Sequence, residues 1–357
     1  MNATLLMDIG GTNTRCKIIE SIYSSGSIPQ KTISLTRRID TGEKLFNFIN
    51  EILSEYQLRN QLATAVLCFA GPVTDHTRAF MTNWHGERNI LSSELVACGL
   101  QADKTTLVND LEAAAYGLLH CKYQTGTGKE DIIPLYTPDS PVAENGNALL
   151  IMPGTGTGIS AILTDPAAGD ASTPLILACE TQHSPIPALD RWHRQLIEEV
   201  GKISGKSCPT WEDFVSGPGL EMIYQSLVRL NIEETGTPIR ESCPGADMIA
   251  ELAVTGTDAL SHAALATYYR CAGALAQLLA LTFRPQRGVY LAGNSTRSNL
   301  SYIPDSAFIP ALHDNDFHRE MLEAFPVYLA VSDLNLEGAA YLANRSVQSH
   351  SQISLFA

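Results

Sequence analysis

The sequence predicts an α/β protein built from two related halves, and three observations carry that prediction. The chain has 357 residues, of which 45% are apolar, enough for a sizeable core and, at roughly 150 residues per domain, for two domains. Apolar runs of strand length alternate with helical patterns, as expected for a mainly parallel sheet covered on both faces. A short glycine-containing motif also occurs twice.

The repeated motif pairs two segments of similar pattern. Leu5–Thr12 (LLMDIGGT) aligns with Leu149–Gly156 (LLIMPGTG), and Ile18-Ile19 then falls on Ile162-Leu163. Each copy is typical of a buried strand, a Gly/Thr-rich turn and a second strand. We therefore expect two related halves, with chance similarity between short apolar strands as the alternative at this point.

Further strands and helices alternate along the rest of the chain. Apolar runs predict buried strands at residues 63–70, 105–108, 175–179, 288–292 and 327–331. Helical periodicity predicts helices at residues 43–56, 111–120, 190–200, 219–230, 247–253 and 257–283. The stretch 123–146, rich in Gly, Pro, Asp and Thr, is predicted to cross between the halves and to form a large surface loop.

Charge and composition exclude several classes of partner. With 24 basic against 38 acidic side chains, the net charge is −14, so we expect no nucleic-acid partner. The longest helix-like apolar run, residues 271–283, falls short of the ~20 residues that cross a bilayer, so we expect no membrane partner. Eight scattered cysteines without a C-x-x-C motif and the lack of a basic N-terminal region indicate reduced thiols and a cytoplasmic location.

Asp8–Arg15 (DIGGTNTR) carries the strongest chemical signal. Two glycines after a buried strand let backbone N–H groups approach an anion, and Thr12, Asn13 and Thr14 add small donors. Asp8, at the strand end, is placed to hold Mg²⁺ through water beside a polyphosphate. A plain hairpin is the alternative, but it requires neither the glycine pair nor so many donors. We predict a phosphate site here.

The second glycine segment, Gly154–Gly158 (GTGTG), is weak by itself and gains meaning from its register with the first. Two opposed loops could hold opposite ends of one triphosphate. Since Asp8 aligns with Met152, only the first half is expected to hold the metal. Gly201–Ser207 (GKISGKS) is one residue short of a P-loop and has no strand before it, so we reject it as a phosphate site.

Polar groups at strand ends and turns are weaker candidates. Asn109-Asp110 follows a strand at the edge where α/β sheets bind ligands, and Asp110 could accept a proton from an attacking hydroxyl. A helix N-cap is an equally good interpretation. Glu180–His183 follows another strand, with a surface turn as the alternative, and Asn83 could equally be a turn amide.

In order along the chain, these motifs and three more resemble the bacterial-type glucokinases of the hexokinase and actin-like ATPase superfamily. The segments are Asp8–Arg15, Ala70–Val73 (AGPV), Met81–Asn83 (MTN), Asn109-Asp110, Gly154–Gly158, Glu180–His183, Ser216–Leu220 (SGPGL) and Gly288–Gly293 (GVYLAG). The resemblance implies two ribonuclease-H-like α/β domains flanking a deep cleft, residues 1–120 plus about 335–357 and residues 121–334. It also implies a homodimer.

The resemblance further implies a glucokinase, which transfers the γ-phosphoryl group of MgATP to the 6-hydroxyl of glucose with Asp110 as general base. The residues implied in sugar binding are Asn83, Asn109, Asp110, Glu180, His183 and Glu199, the last across an apparent insertion before Ser216. Those implied in binding ATP and Mg²⁺ are Asp8 (also the metal ligand), Gly10, Gly11, Thr12, Asn13, Thr155, Gly156 and Gly293.

Two departures from the family pattern leave alternatives open. Thr181 and Gln182 stand where the family commonly has glycines, so another hexose or an amino sugar is an alternative substrate; Asn294 replaces a second late glycine. A non-catalytic, sugar-responsive regulator is a more remote alternative. Such regulators usually carry a DNA-binding module ahead of the kinase-like fold, whereas this sequence opens on the first phosphate strand. A scaffold that only binds sugar would be expected to lose Asp8 or Asp110, and both are present.

Overall fold

The computed structural model describes residues 2–11, 13–21, 30–59, 61–123, 131–143, 145–165, 174–235 and 243–353. The chain divides into two compact units. Unit 1 comprises Met1–Gly128 and Ser332–Ala357, and unit 2 comprises Lys129–Val331. None of the helices in the described ranges combines the length and apolarity that crossing a membrane requires.

Unit 1 contains two sheets. Its strands are β1 (Asn2–Ile9), β2 (Asn13–Ser21), β3 (Gln30–Arg38), β4 (Leu62–Phe69), β5 (Val73–Thr74), β6 (Arg78–Phe80), β7 (Asn89–Leu91) and β8 (Thr105–Asn109). The larger sheet has the order β3-β2-β1-β4-β8, and β5-β6-β7 form the smaller one. β1 pairs antiparallel with β2 and parallel with β4, and β4 pairs parallel with β8. The carboxyl ends of β1, β4 and β8 therefore lie along one edge.

Helices cover both faces of the larger sheet of unit 1. They are α1 (Gly42–Glu55), α2 (Ser92–Ala97), α3 (Asp110–Tyr123) and, from the end of the chain, α11 (Leu334–Ile353). On one face α1 packs into a core with β1 and β4. On the other face α11 brings small residues onto an apolar surface of β1, β4 and β8; the buried residues of this cluster are Leu6, Val66, Cys68, Val108, Ala113, Ala339 and Ala343.

Two glycines let α3 and α11 approach to backbone contact. A Cβ atom added at Gly338 would lie 1.7 Å from the carbonyl oxygen of Ala113, and one at Gly117 would lie 2.1 Å from that of Leu334. Any side chain at either position would force the helices apart. Ala113, which Gly338 contacts, lies one helical turn after Asp110, the first residue of α3.

Unit 2 contains a six-stranded sheet flanked by helices. Its strands are β9 (Ile132–Tyr136), β10 (Ala148–Pro153), β11 (Thr157–Leu163), β12 (Leu175–Cys179), β13 (Gly288–Leu291) and β14 (Val327–Ala330), in the order β12-β11-β10-β13-β14-β9. Its helices are α4 (Arg191–Ser204), α5 (Gly217–Thr235), α6 (Ala246–Val254), α7 (Ala259–Phe283), α8 (Asn294–Ser298), α9 (Phe308–His313) and α10 (Arg319–Glu323). The middle of α7 is buried in the unit 2 core.

The sequence repeat corresponds to the same structural motif in each unit. β1 and β2 form an antiparallel hairpin, with β4 parallel to β1; β10 and β11 form the matching hairpin, with β13 parallel to β10. The predicted strand–turn–strand pattern is thus confirmed in both copies. Chance similarity between apolar strands is not needed to explain the alignment.

The structure differs from one sequence interpretation of a connecting segment, the surface loop in 123–146, and agrees with another, the rejection of a P-loop at Gly201–Ser207. The stretch 123–146, predicted to end in a surface loop, contains β9, an edge strand that pairs antiparallel with β14. The rejection of Gly201–Ser207 as a P-loop is confirmed. The segment is the end of α4, closed by Gly205 at φ +71°, whereas a P-loop precedes a helix.

Candidate active site

Asp8 lies near the carboxyl end of β1, and both of its carboxylate oxygens are held. Arg15 Nε donates to Asp8 Oδ2 at 3.0 Å, and Arg15 Nη2 donates to the same oxygen. Asn335 Nδ2 donates to Asp8 Oδ1 at 2.9 Å, and Arg15 Nη1 donates to Asp333 at 2.6 Å. Burial lowers the pKa of Arg15, but the two aspartates outweigh it and the net shift is upward. The guanidinium therefore stays charged and keeps this cluster partly neutralised.

The first glycine turn is shaped by close backbone contacts. Gly10 N donates to the carbonyl oxygen of Asn13 at 3.1 Å, and a Cβ atom on Gly10 would lie 2.8 Å from that oxygen. A Cβ atom on Gly11 would lie 3.0 Å from Asn83 Cβ, and Trp84 Nε1 donates to the Gly10 carbonyl at 3.4 Å. Asn83 is therefore placed against the predicted phosphate turn. Thr12, also predicted there, lies outside the described residues.

Asn109 is a helix cap, and Asp110 begins the helix. Asn109 Oδ1 accepts from the backbone N–H groups of Leu111 (3.0 Å) and Glu112 (3.2 Å), while its Nδ2 donates to the Gly71 carbonyl at 2.9 Å. The capping role considered for Asp110 falls chiefly on Asn109. One oxygen of Asp110 also accepts from Leu111 N, at 2.9 Å. Capping by the preceding residue fixes the start of α3, and with it the Asp110 carboxylate, at the sheet edge.

The register of unit 1 brings the acidic residues together. Asp8 pairs with Cys68 across β1 and β4, and Cys68 pairs with Val108, two residues before Asp110. Burial raises the pKa of the Cys68 thiol well above its ordinary value, and the charges of Asp8, Asp110 and nearby Asp333 raise it further. The three carboxylates therefore lie close enough to the buried Cys68 sulfur to influence its charge. Because its pKa is raised, the thiol stays protonated and is unreactive.

In unit 2, the second glycine turn is joined to Glu212. Gly154 N donates to the Gly156 carbonyl at 2.7 Å, and Thr157 N donates to Glu212 Oε2 at 2.9 Å. A Cβ atom on Gly156 would lie 2.7 Å from that oxygen, so a side chain there would collide with it. Thr155, at the tip of the turn, is exposed.

Glu180 and His183 lie beside the same glutamate. His183 Nδ1 is 3.8 Å from Glu212 Oε1, and His183 Nε2 is 3.3 Å from Glu180 Oε2. Gln182 is buried and donates from its Nε2 to Glu180 Oε2 at 2.8 Å. The glutamine that departs from the family pattern thus turns inward and supports Glu180. Glu180 and His183 keep more than half of their side-chain surface exposed, at 69% and 56%.

Glu199, predicted as a sugar-binding glutamate, is not part of this cluster. It lies on α4, where it is buried and accepts a hydrogen bond from Lys202, three residues along the helix. The glutamate beside His183 is instead Glu212, four residues before Ser216. Sequence analysis missed Glu212. Its position just before the S-G-P-G-L segment could have indicated it. Gly217 of that segment donates its N–H to the Gly154 carbonyl of the second glycine turn at 2.8 Å, so the segment lies beside that turn.

Gly293 lies between β13 and α8 with φ +95°, a conformation that favours glycine. A Cβ atom there would lie 3.0 Å from the Pro153 carbonyl at the end of β10. Beside it, a cavity of about 580 Å³ is walled by α5, α6, α7 and α8, with Gly217, Tyr268 and Asn294 among its lining residues. Its size suits a nucleoside-sized ligand.

Comparison with known proteins identifies the class. A glucokinase of Colwellia psychrerythraea is 28% identical over 347 residues, 96% of either chain. The structure of Balamuthia mandrillaris glucokinase in complex with glucose matches 96% of this chain and 94% of its own, with a TM-score of 0.77 and 24% identity. A ROK family glucokinase from Streptomyces griseus, in complex with glucose and AMPPNP, matches 96% of this chain and 100% of its own, with a TM-score of 0.61 and 20% identity. The fold, the site and these relatives define a sugar kinase, a phosphotransferase with an alcohol acceptor.

The family follows from a match over nearly the whole sequence. The family model described as Glucokinase matches residues 5–346, and this chain belongs to the glucokinase family. The resemblance inferred from the ordered motifs is confirmed.

Proposed function

We propose that this enzyme is a glucokinase that transfers the γ-phosphoryl group of ATP to the 6-hydroxyl of glucose, with Asp110 as general base. The observation that carries the proposal is the placement of Asp8 and Asp110 at the same edge of the unit 1 sheet, around the buried Cys68. A sugar kinase needs one carboxylate near the phosphates and a second near the attacking hydroxyl.

The proposed sugar site combines carboxylates, which accept hydrogen bonds from hydroxyl groups, with groups that also donate. Its residues are Asn83, Asn109, Asp110, Glu180, His183 and Glu212, with Glu212 in place of Glu199. Asn109 donates one N–H of its amide to Gly71 and has a second N–H for a sugar oxygen. The glucose complex of the Balamuthia mandrillaris protein supports glucose as the sugar.

The proposed nucleotide site has two turns and a cavity. Residues assigned to the phosphates are Asp8, Gly10, Gly11, Thr12, Asn13, Thr155 and Gly156. The cavity beside Gly293 would take the adenosine. The AMPPNP complex of the Streptomyces griseus protein supports an adenine nucleotide as the ligand.

Asp8 also fits the role of a magnesium ligand. Its carboxylate supplies the hard oxygens that Mg²⁺ prefers, and Mg²⁺ commonly keeps several waters. When bound, the ion would neutralise charge on the phosphates.

The residues of unit 1 would act mainly by positioning. Asp110 would accept the proton of the 6-hydroxyl as that oxygen attacks the γ-phosphorus in line. Capping by Asn109 and the close contact of α3 with α11 hold Asp110 in place, so little reorganisation is needed in the transition state. Arg15 orients Asp8 through two hydrogen bonds to its Oδ2.

The proposal also includes features that the family resemblance implies. These are two ribonuclease-H-like domains flanking a deep cleft, a homodimer, and a cytoplasmic location. Exclusion of water from the bound sugar and ATP would limit ATP hydrolysis.

The test is an ADP-release assay with MgATP and glucose, mannose, fructose, glucosamine or no sugar. Replacing the base in Asp110→Ala should lower kcat by roughly 10²–10⁴-fold, while ATP binding, measured by calorimetry, is retained. Asp103→Ala, which removes an exposed aspartate of the same unit, should behave as wild type. Full kcat in Asp110→Ala would contradict the assignment of the base. Turnover that favours another sugar would replace glucose and keep the mechanism.

A further inference from the structure

Asn335, in the first turn of α11, holds the oxygen of Asp8 that Arg15 does not. The bond from Asn335 Nδ2 to Asp8 Oδ1 is 2.9 Å long, and both residues are buried, with 9% and 5% of their surface exposed. Water therefore competes little for this bond. The carboxylate is fixed at one oxygen by a cation and at the other by a neutral amide, which restricts its rotation.

The rest of the Asn335 side chain gives no structural reason for an asparagine. Its Oδ1 is buried without a hydrogen bond among the described residues, and an unsatisfied buried amide oxygen destabilises a fold. A flipped amide would turn that oxygen against Asp8 Oδ1, and two acceptors would repel. A leucine, which has the same branched outline, carries no such oxygen, so the contact that requires an asparagine is its N–H donation to Asp8.

The helix that carries Asn335 also determines where α3 begins. Gly338, three residues further along α11, contacts the Ala113 carbonyl of α3, and Leu334 contacts Gly117. One turn of α11 therefore contacts Asp8 through Asn335 and supports the helix that begins with Asp110.

We infer that Asn335 is a positioning residue for phosphoryl transfer. It orients Asp8 toward the metal–nucleotide complex, and the α11 backbone ties that orientation to the position of Asp110. The inference rests on the proposed function for the role of Asp8, but it concerns metal affinity, which is measurable without turnover.

The test uses Asn335→Leu, which removes the donor, and Asn335→Gln, which keeps an amide on a longer side chain. Asn344→Leu and Asn344→Gln, at an exposed asparagine of the same helix, are the matched controls. Mn²⁺ affinity is measured by electron paramagnetic resonance in the presence of AMPPNP, glucose affinity by calorimetry, stability by urea denaturation, and kcat and KM for MgATP by the coupled assay.

Asn335→Leu is expected to lower Mn²⁺ affinity and kcat by roughly 10–100-fold, the usual effect of losing a partner of a metal ligand. Glucose affinity should be unchanged. Stability should stay close to wild type, because the loss of the donor to the buried Asp8 Oδ1 offsets the removal of the unsatisfied Asn335 Oδ1. Asn335→Gln should retain part of the metal affinity, and both controls should match wild type. This separation between stability and metal affinity distinguishes positioning from a structural role.

Two results would overturn the inference: unchanged Mn²⁺ affinity in Asn335→Leu, or a parallel loss of stability, glucose affinity and metal affinity. If Asn335→Leu does not fold, Asn335→Gln decides by the same criteria. A wild-type enzyme that phosphorylates no hexose, yet binds Mn²⁺–AMPPNP more tightly than Asn335→Leu does, would refute the proposed function and leave the role of Asn335 standing.

Discussion

The two candidate sugar-binding glutamates can be separated by one matched pair of variants, Glu212→Gln and Glu199→Gln. Each substitution removes a negative charge and keeps the side-chain shape. Glu212 lies 3.8 Å from His183 Nδ1 and accepts from Thr157 N at 2.9 Å. Glu199 is paired with Lys202 on α4. We expect the KM for glucose to rise only in Glu212→Gln.

The magnitude follows from what each charge contacts. A hydrogen bond to a charged group contributes about 1.5–3 kcal/mol, so loss of one sugar contact at Glu212 should raise the KM for glucose roughly 10–150-fold. The glutamine keeps an oxygen for Thr157 N–H, so the glycine turn and the KM for ATP should be preserved. Because Lys202 is 63% exposed, its pair with Glu199 contributes at most about 1 kcal/mol to stability.

The assay is coupled ADP release with glucose and ATP varied in turn. A raised KM for glucose in Glu199→Gln, together with an unchanged value in Glu212→Gln, would refute the reassignment and restore the sequence-based choice. An equal rise in the KM values for glucose and ATP in Glu212→Gln would show instead that the glycine turn had been disrupted.

Two further predictions concern stability. Gly338→Ala should destabilise unit 1 by about 3 kcal/mol or more in urea denaturation, because its Cβ atom would lie 1.7 Å from the Ala113 carbonyl. The control Gly245→Ala places a Cβ atom 3.7 Å from its nearest neighbour, at the N-cap of α6, and should cost no more than about 1 kcal/mol; an equal effect of the two substitutions would contradict the argument. Burial lowers the pKa of His193 from 6.5 to about 4, so the fold favours the neutral ring. The contribution of the neutral ring to the free energy of unfolding should be fully present above pH 6.5. About 3 kcal/mol of it should be lost as the pH falls to 4. Melting temperatures across this range should decline less in His193→Asn, and an identical decline would argue against this histidine.

The sequence was most informative where local pattern and tertiary structure agree. The run 63–70 became β4 at Leu62–Phe69, and the helix predicted at 257–283 became α7 at Ala259–Phe283. In both cases apolar periodicity reflects burial in the core. β9 (IIPLY) was missed although it is apolar, because it is short, contains Pro134 and lies in a stretch rich in Gly, Pro, Asp and Thr, which are typical of loops.

The candidate site was predictable only in part, for a physical reason. Asp8 and Asp110 follow buried strands, so their placement at one edge of a parallel sheet could be expected from the sequence. Glu212 lies in a short turn after an insertion, and its contacts with Thr157 and His183 depend on tertiary structure. Asn335 is 327 positions from Asp8, and no local pattern predicts that bond.

Unit 1 is assembled from two stretches of chain, with all of unit 2 between them, and this sets the order of events during synthesis. Asp8 and Asp110 are translated first, unit 2 is continuous and can fold next, and α11 emerges last. Until then the apolar face of β1, β4 and β8 that α11 covers remains open, and such a surface is prone to aggregation or chaperone binding. A nascent chain lacking α11 therefore has neither a closed core in unit 1 nor the Asn335 contact that holds the second oxygen of Asp8, so it should not consume ATP before α11 has folded.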